Sequence, residues 1–338
     1  MRLRPRVHVV VLNWNGWEDT EECLDSLLRT EHEPLAVTVV DNASTDDSAG
    51  RFAGWLTALP DPARIRVDLL RNEANLGFAE GNNRGIAHVL ERSAAYVLVL
   101  NNDTVVHPAA VSRMVAVAES TGAAMVAPAV FDYLERARVD RFGLVLTRSG
   151  SAYDRVSETD GPLLCPSGCA ALYRRDLVEA LWGDVGGFFD RDFFAYSEDM
   201  DVGLRARARG FGAAFARDAL VYHKGSAAWG LGSVRSYYFR HRNTVWAIAK
   251  SYSWALLLRE GPFLVAGQVL GLVSAARRGR FRAVLSGKLD GLLGAPGMRR
   301  RASGPRIRTT ESFHRRFALS GRARMVESPV RLSAGSRR

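Results

Sequence analysis

The 338-residue chain has only three cysteines, Cys23, Cys165 and Cys169. So few, odd in number and without metal-ligand spacing, they exclude a disulfide framework, argue against a zinc site and suit a reducing compartment. A secretory signal pattern is also lacking. The apolar run behind the basic N-terminus, Val7 to Leu12, is short and reads as a strand. A membrane span needs about 20 apolar residues. The charge-free stretch Gly261–Ala276 is shorter, and Arg259 and Glu260 interrupt the apolar run before it. It reads as an interfacial or protein-packed helix. No Gly-x-Gly-x-x-Gly follows the first strand, which sets aside a dinucleotide-dependent dehydrogenase.

What is present is a 47% hydrophobic composition, enough for one large domain with an appendage. The net charge of +10 is unevenly distributed. From Arg277 onward 17 Arg and Lys face three acids, whereas the preceding chain carries 29 bases and 33 acids. Such a tail would seek an anionic surface, lipid or nucleic acid. It lacks the interleaved aromatics of single-strand binders apart from Phe313 and Phe317, so nucleic acid is not the expected partner.

Along the first 130 residues, β-rich runs alternate with amphipathic helical patterns. The runs are Val7–Leu12, Leu35–Val40, Ile65–Leu70 and Tyr96–Leu100, and Ser44 and Thr45 are candidate caps for the second helix. This alternation predicts an α/β fold, a mostly parallel sheet covered on both faces, with ligands at the carboxyl ends of its strands. Those ends carry Asn13-Trp14-Asn15-Gly16, Asp41-Asn42-Ala43-Ser44, Asn72 through Asn83, and Asn101-Asn102-Asp103. Turn chemistry explains any one such loop. Four on one rim point to a polar ligand.

Residues 131–170 give no clear pattern, with Arg141 to Arg148 a candidate hairpin arm. A helix is expected at Arg175–Trp182, another at Asp199–Arg209, and a strand at Ala213–Val221. Ser236–Ser251 and Trp254–Ala276 read as two further helices, and the Arg-, Ser- and Gly-rich chain beyond about Pro296 reads as disordered. The expected organisation is a catalytic domain over 1–230, a helical region over 231–298 that associates with membrane, and a basic tail over 299–338.

Taken in order, Val9–Gly16, Val40–Asp46, Asn75–Asn83, Leu98–Asp103, Gly187–Asp190 and Phe193–Asp201 resemble glycosyltransferase family 2. The Asn101-Asn102-Asp103 element and the segment Tyr237–Asn243 look closest to its rhamnosyltransferase-like branch. The resemblance implies the GT-A fold and an inverting, metal-dependent transfer from a nucleotide-sugar donor, a dTDP- or UDP-sugar, to a glycan or lipid-linked acceptor at the inner face of the cell membrane. It implies that Asp41 accepts a hydrogen bond from a pyrimidine N3–H, with Asn13, Asn15 and Asn42 about the same pocket. Asn101 and Asn102 would contact the donor, and Asp103 would hold Mg2+ or Mn2+.

His223, in Tyr-His-Lys-Gly-Ser, would complete the metal site or touch the diphosphate. Arg84, Lys224 and Ser226 are candidate phosphate contacts, although a solvated loop accounts equally well for the last two. In the acidic cluster, Asp199 is the candidate general base, with Glu198, Asp201 and Gly168 about the acceptor or behind the base. Asp201 fits an acid favoured by a helix start. The alternative reading is a nucleotide-sensing protein without catalysis, binding nucleic acid or anionic membrane through its tail.

Overall fold

The computed structural model describes residues 4–60, 64–225, 233–309 and 314–315. The first half runs β1 (Val7–Asn13), α1 (Trp17–Leu28), β2 (Leu35–Asp41), α2 (Ser48–Thr57), β3 (Arg66–Arg71), α3 (Gly77–Leu90) and β4 (Tyr96–Asn101). A turn through Asn102 and Asp103 leads into β5 (Thr104–Val106). There follow α4 (Ala110–Thr121), β6 (Met125–Asp132), β7 (Val139–Arg141), β8 (Leu144–Thr147), β9 (Ala152–Asp154), β10 (Ala170–Arg174), α5 (Arg175–Val185), α6 (Glu198–Ala208) and β11 (Ala213–His223). The C-terminal part is α7 (Val234–Ser251), α8 (Trp254–Arg277), α9 (Phe281–Arg301) and the short β12 (His314–Arg315).

The main sheet has the order β3-β2-β1-β4-β10-β6-β11-β5. β1 is rich in valine, and its buried β-branched side chains suit a central strand covered on both faces. It pairs in parallel with β2 and β4 in a register that sets Asn13 opposite Asp41 and Leu12 opposite Asn101. The polar residues closing three strands therefore end on one rim. Helix α3 lies close over this part of the sheet because position 85 is glycine, where a Cβ would stand 2.4 Å from a Val10 methyl.

The mostly parallel sheet is as expected, and the helices at 175, 198, 234 and 254 stand where periodicity places them. Several details differ. Residues 131–170 contain the β8–β9 hairpin and lead into β10, which inserts antiparallel between β4 and β6. Ser44 and Thr45 do not cap α2, which starts at Ser48. The chain beyond Pro296 is not irregular at once: α9 continues through Pro296 to Arg301, so a boundary at 298 cuts a helix. Arg299 then donates to the Ala249 and Tyr252 carbonyls at 2.5 and 2.7 Å. Most of the basic tail, 316–338, lies outside the described residues.

The C-terminal helices are packed into the domain. Ala247, Ile248, Tyr252, Leu256, Met298 and Ile307 share one buried cluster with Phe188, Phe193 and Leu204. The α8 helix touches the hairpin with one side only. Arg148 bonds Glu260 at 2.7 Å and lies over the Phe263 ring, and a Cβ at Gly267 would meet Ser149 at 2.3 Å.

Candidate active site

Side chains at the ends of β1, β2 and β3 form the first part of the rim. Asn13 is buried and donates to Asp41 Oδ1 and Ser44 Oγ, both at 3.2 Å, while its carbonyl accepts from Thr20 at 2.9 Å. Ser44 donates to the same Asp41 oxygen at 2.5 Å, so this serine shapes the pocket rather than a helix start. Asp41 Oδ2 faces Arg71 at 3.9 Å. The expected neighbours of Asp41 are here, but they divide into two kinds. Asn42 is saturated: it donates to Asn75 Oδ1 and the Gly77 carbonyl and accepts from Asn72 and the Leu76 N–H. It braces the 72–77 loop. Asn15 stands at φ 52 and its carbonyl accepts from Thr45 N–H at 2.7 Å, so it too orders a loop.

Asn102 likewise turns inward, donating to Thr20 Oγ1 at 3.0 Å and the Gly16 carbonyl at 3.2 Å. Asn101 is half-buried, and its side-chain amide makes no hydrogen bond among the described residues. It remains available to a ligand. Arg84 is exposed on α3 and joins none of these sets, so the phosphate contact expected of it has no support in its position.

The next part of the rim is a carboxylate–imidazole–carboxylate line. His223, ending β11, places Nε2 3.3 Å from Asp103 Oδ1 and Nδ1 2.8 Å from Asp140 Oδ2. Burial would lower the imidazole pKa, but the bonds to Asp103 and Asp140 outweigh it and push it up to about 10. Asp140 is in turn paired with Arg141 at 3.1 Å. Among the described residues no group of three His, Cys, Asp or Glu side chains closes a complete metal cage. Mg2+ is usually held by one or two protein carboxylates with substrate phosphates completing the shell, and Mn2+ accepts an imidazole. A carboxylate oxygen and an imidazole nitrogen converging at the rim, with the far ring nitrogen fixed by Asp140, fit that pattern. Lys224 does not wait for a phosphate: it is paired with Asp19 and Glu22 at 2.7 and 2.6 Å. Ser226 lies outside the described residues.

The third part is the start of α6. Asp199 Oδ2 accepts from the Gly168 N–H at 3.1 Å and Oδ1 from the Met200 N–H at 2.8 Å. Gly168 precedes β10, and the Cys169 carbonyl accepts from Asn101 N–H at 2.9 Å, so the base candidate is tied to the β4 end. A Cβ at Gly168 would stand 3.6 Å from Glu198 Oε1. Glu198 is buried and Asp199 keeps some surface open to solvent. Burial pushes both carboxyls above the ordinary carboxylate range, and for Glu198 the Asp199 charge adds to it.

Asp201 differs from its neighbours. It is not a solvated acid at a helix start, because it is fully buried between Lys250 at 2.9 Å and Arg205 at 2.8 Å. Burial alone would raise its pKa, but those two cations hold it below the usual range. Arg205 therefore pairs with an acid as its i,i+4 spacing suggests, while Arg209 turns to Asp184 on α5.

The sequence profile of glycosyl transferase family 2 matches residues 8–182, and that of glycosyl transferase family group 2 matches 96–283. The chain belongs to glycosyl transferase family 2. It is 26% identical over 284 residues to an N-acetylglucosaminyl-diphospho-decaprenol L-rhamnosyltransferase of Mycobacterium tuberculosis, covering 74% of this chain and 87% of that one. The succinoglycan biosynthesis protein ExoO of Rhizobium meliloti is 32% identical over 119 residues, 35% of this chain and 31% of that one. Among solved structures, a mannosyltransferase from Pyrobaculum calidifontis in complex with GDP-Man and Mn2+ superposes with a TM-score of 0.55. It is 20% identical, covering 88% of this chain and 87% of the other.

Three residues of the candidate site have roles that the sequence does not show. Asp140 lies in a stretch without periodicity, and its partner is 83 residues away. Lys250 looks like an ordinary helix-end cation, yet it is fully buried between Asp190 and Asp201. Asn243 stands in a segment that resembles the family, Tyr237–Asn243, but nothing there tells what it holds.

Proposed function

We propose that this glycosyltransferase carries out a metal-dependent, inverting transfer from a pyrimidine-nucleotide sugar, with Asp199 as general base. The observation that carries the reading is the tie between Asp199 and Gly168 at the edge of β10, which puts a proton-accepting carboxylate on the same rim as Asp41 and Asp103. In this reading Asp41 faces a uracil or thymine N3–H, with Asn13 fixing its rotamer and Asn101 meeting ribose or sugar. Asp103 and His223 would hold Mg2+ or Mn2+, which when bound neutralises charge developing on the leaving diphosphate. Asp140 keeps the imidazole turned towards Asp103, and His223 must lose its proton before it can ligate. Asp199 takes the proton of the acceptor hydroxyl as that oxygen attacks from the face opposite the diphosphate. The Pyrobaculum neighbour, solved with a nucleotide sugar and Mn2+, supports the metal, and the Mycobacterium relative supports L-rhamnose as the sugar and a lipid-linked diphosphate as the acceptor.

A panel of nucleotide sugars tests the reading. Turnover should be best with a dTDP- or UDP-sugar, vanish after EDTA and return with Mn2+ or Mg2+. Full activity in chelator, or preference for a purine nucleotide, would overturn it.

A lipid-linked acceptor calls for a membrane surface, and α8 with α9 offers one. Trp254, Leu258, Val265, Val269 and Val273 form an exposed stripe along α8, and Leu289, Leu292 and Leu293 of α9 are exposed as well. By length and composition α8 could cross a membrane. With its other side docked on the hairpin through Glu260, Phe263 and Gly267, it is better suited to lie in the interface. Arg277, Arg278, Arg280 and Arg282 follow at its end, where each cation contributes about 1 kcal/mol towards anionic lipid. The enzyme is read as peripheral at the cytoplasmic face. It should float with anionic vesicles and detach as salt rises. Failure to float would count against the attachment.

A further inference from the structure

The turn that leads into Asp199 is held in an unusual shape. Phe194, Tyr196 and Ser197 have φ of 62°, 71° and 64°, a region non-glycine residues adopt only when their surroundings over-determine it. At Phe194 (φ 62, ψ −61) the Ala195 N–H donates back to the Phe193 carbonyl at 2.7 Å. This is a γ-turn of the rare hand.

The surroundings that impose it come from two distant elements. On one side is α3, where the Ala79 N–H donates to the Phe194 carbonyl at 3.1 Å. Position 77 must be glycine here, since its φ is +76 and a Cβ would stand 2.5 Å from the Phe194 carbonyl oxygen. The glycine-rich 75–83 segment thus braces the turn before Asp199.

On the other side is α7. Asn243 is fully buried, and its Nδ2 donates to the carbonyls of Phe193 at 2.9 Å, Ala195 at 2.9 Å and Tyr196 at 2.7 Å. Three carbonyls can face only the NH2 end of the amide, which settles its orientation. Arg242 Nε donates to Asn243 Oδ1 at 2.9 Å and fixes the other end, while Arg242 Nη2 reaches the Asp192 carbonyl at 2.8 Å. The Phe239 ring stacks on Phe194 at 5.7 Å. The two N–H groups of one side chain are therefore shared among three carbonyls of the turn, of which the Phe193 carbonyl also accepts from Ala195 N–H and Arg242 Nη2.

We propose that Asn243 is a positioning residue for transfer: its amide clamps the 193–197 turn and so aims Asp199 at the acceptor hydroxyl. The proposal rests on the reading of Asp199 as base. It makes α7 a structural part of the catalytic centre, since Asn243 and Arg242 of that helix both donate to the turn's carbonyls. Asn243 does not touch the donor pocket around Asp41, so the clamp bears on rate and not on donor affinity.

The test compares Asn243→Ala with Asp199→Asn and with Val245→Ala, a packing change on the same helix against Gly291 of α9. Misplacement of a reacting group by about 1 Å costs roughly 10²-fold, so kcat of Asn243→Ala should fall by that order. Donor nucleotide affinity by calorimetry should stay within about twofold. Hydrogen exchange of amides 194–200 should quicken in Asn243→Ala and not in Val245→Ala, and Val245→Ala should lower thermal stability while leaving kcat near wild type. Wild-type kcat in Asn243→Ala overturns the proposal, as does a fall matched by equal loss of donor binding. If Asp199→Asn itself transfers at the wild-type rate, the base assignment has failed, and the exchange data still decide whether the clamp exists.

Discussion

The two halves of the proposed site, one read as meeting the donor and the other as holding the base, are built by different means. The donor half consists of short polar side chains at strand ends, and its partners are largely one another: Asn13 with Asp41, Ser44 with Asp41, Asn102 with Thr20. The base half consists of carboxylates sunk at the start of α6, and what holds them comes from far along the chain. Lys250 of α7 reaches Asp190 and Asp201, Arg301 of α9 reaches Asp190 at 2.8 Å, and Asn243 holds the turn between. A parallel sheet aligns strand ends by its register alone. A buried, charged turn needs specific partners, because an unpaired buried charge or carbonyl costs several kcal/mol. The donor half thus follows from the sheet, and the base half depends on the C-terminal helices.

The largest expected effect separates the halves directly. Asp199→Asn keeps the side chain's size, gives up one of the two backbone N–H bonds that its oxygens accept, and removes its proton acceptance, a loss of about 10²–10⁴-fold in transfer. Donor binding measured by calorimetry should hardly change. Asp103→Asn should lose transfer and also weaken donor binding in the presence of Mn2+. If both variants weaken the donor alike, the halves are not independent and the contrast between them fails.

How far the sequence can be read follows the same line. The four N-terminal strands, their polar ends and the α/β alternation are local patterns, and they stand where periodicity and turn chemistry put them. Even there, residue type does not separate a ligand contact from a brace: Asn42 and Asn102 carry the same amide as Asn101, and only the fold shows that their hydrogen bonds are already committed. The base half is legible as an acidic cluster but not as an arrangement. Asp201 and Glu198 look alike in sequence, yet one is buried against two cations and the other against a carboxylate. Lys224 and the chain around Pro296 mislead for one reason: partners on α1 and α7 are remote in sequence, so composition suggests a solvated loop and a disordered tail.

The smallest effect is the sharpest check on the base half, because it has a sign. Glu198 is buried beside Asp199, and its Oε2 has no hydrogen-bond partner among the described residues. Its folded pKa is raised above the unfolded value of about 4.3. The folded state then binds the proton more tightly, so stability falls as pH rises from about 4.3 to the raised folded value and levels off above it. Glu198→Gln removes this titration. Relative to wild type it should gain stability as pH rises, by roughly 1.4 kcal/mol for each pH unit separating the folded and unfolded titrations. Asp201 has the opposite sign: its folded pKa is lowered, so its contribution is present above about 3.9 and is lost as pH falls through the folded value. Thermal melts of wild type and Glu198→Gln at pH 5.5 and 8.5 make the comparison. A constant difference between the two proteins would mean that Glu198 is ionised in the folded state, with Arg240, the cation that opposes its rise, as its counter-charge. The base half would then be a paired site like the Asp201 cluster, and the proton-holding pair at the start of α6 would have to be given up.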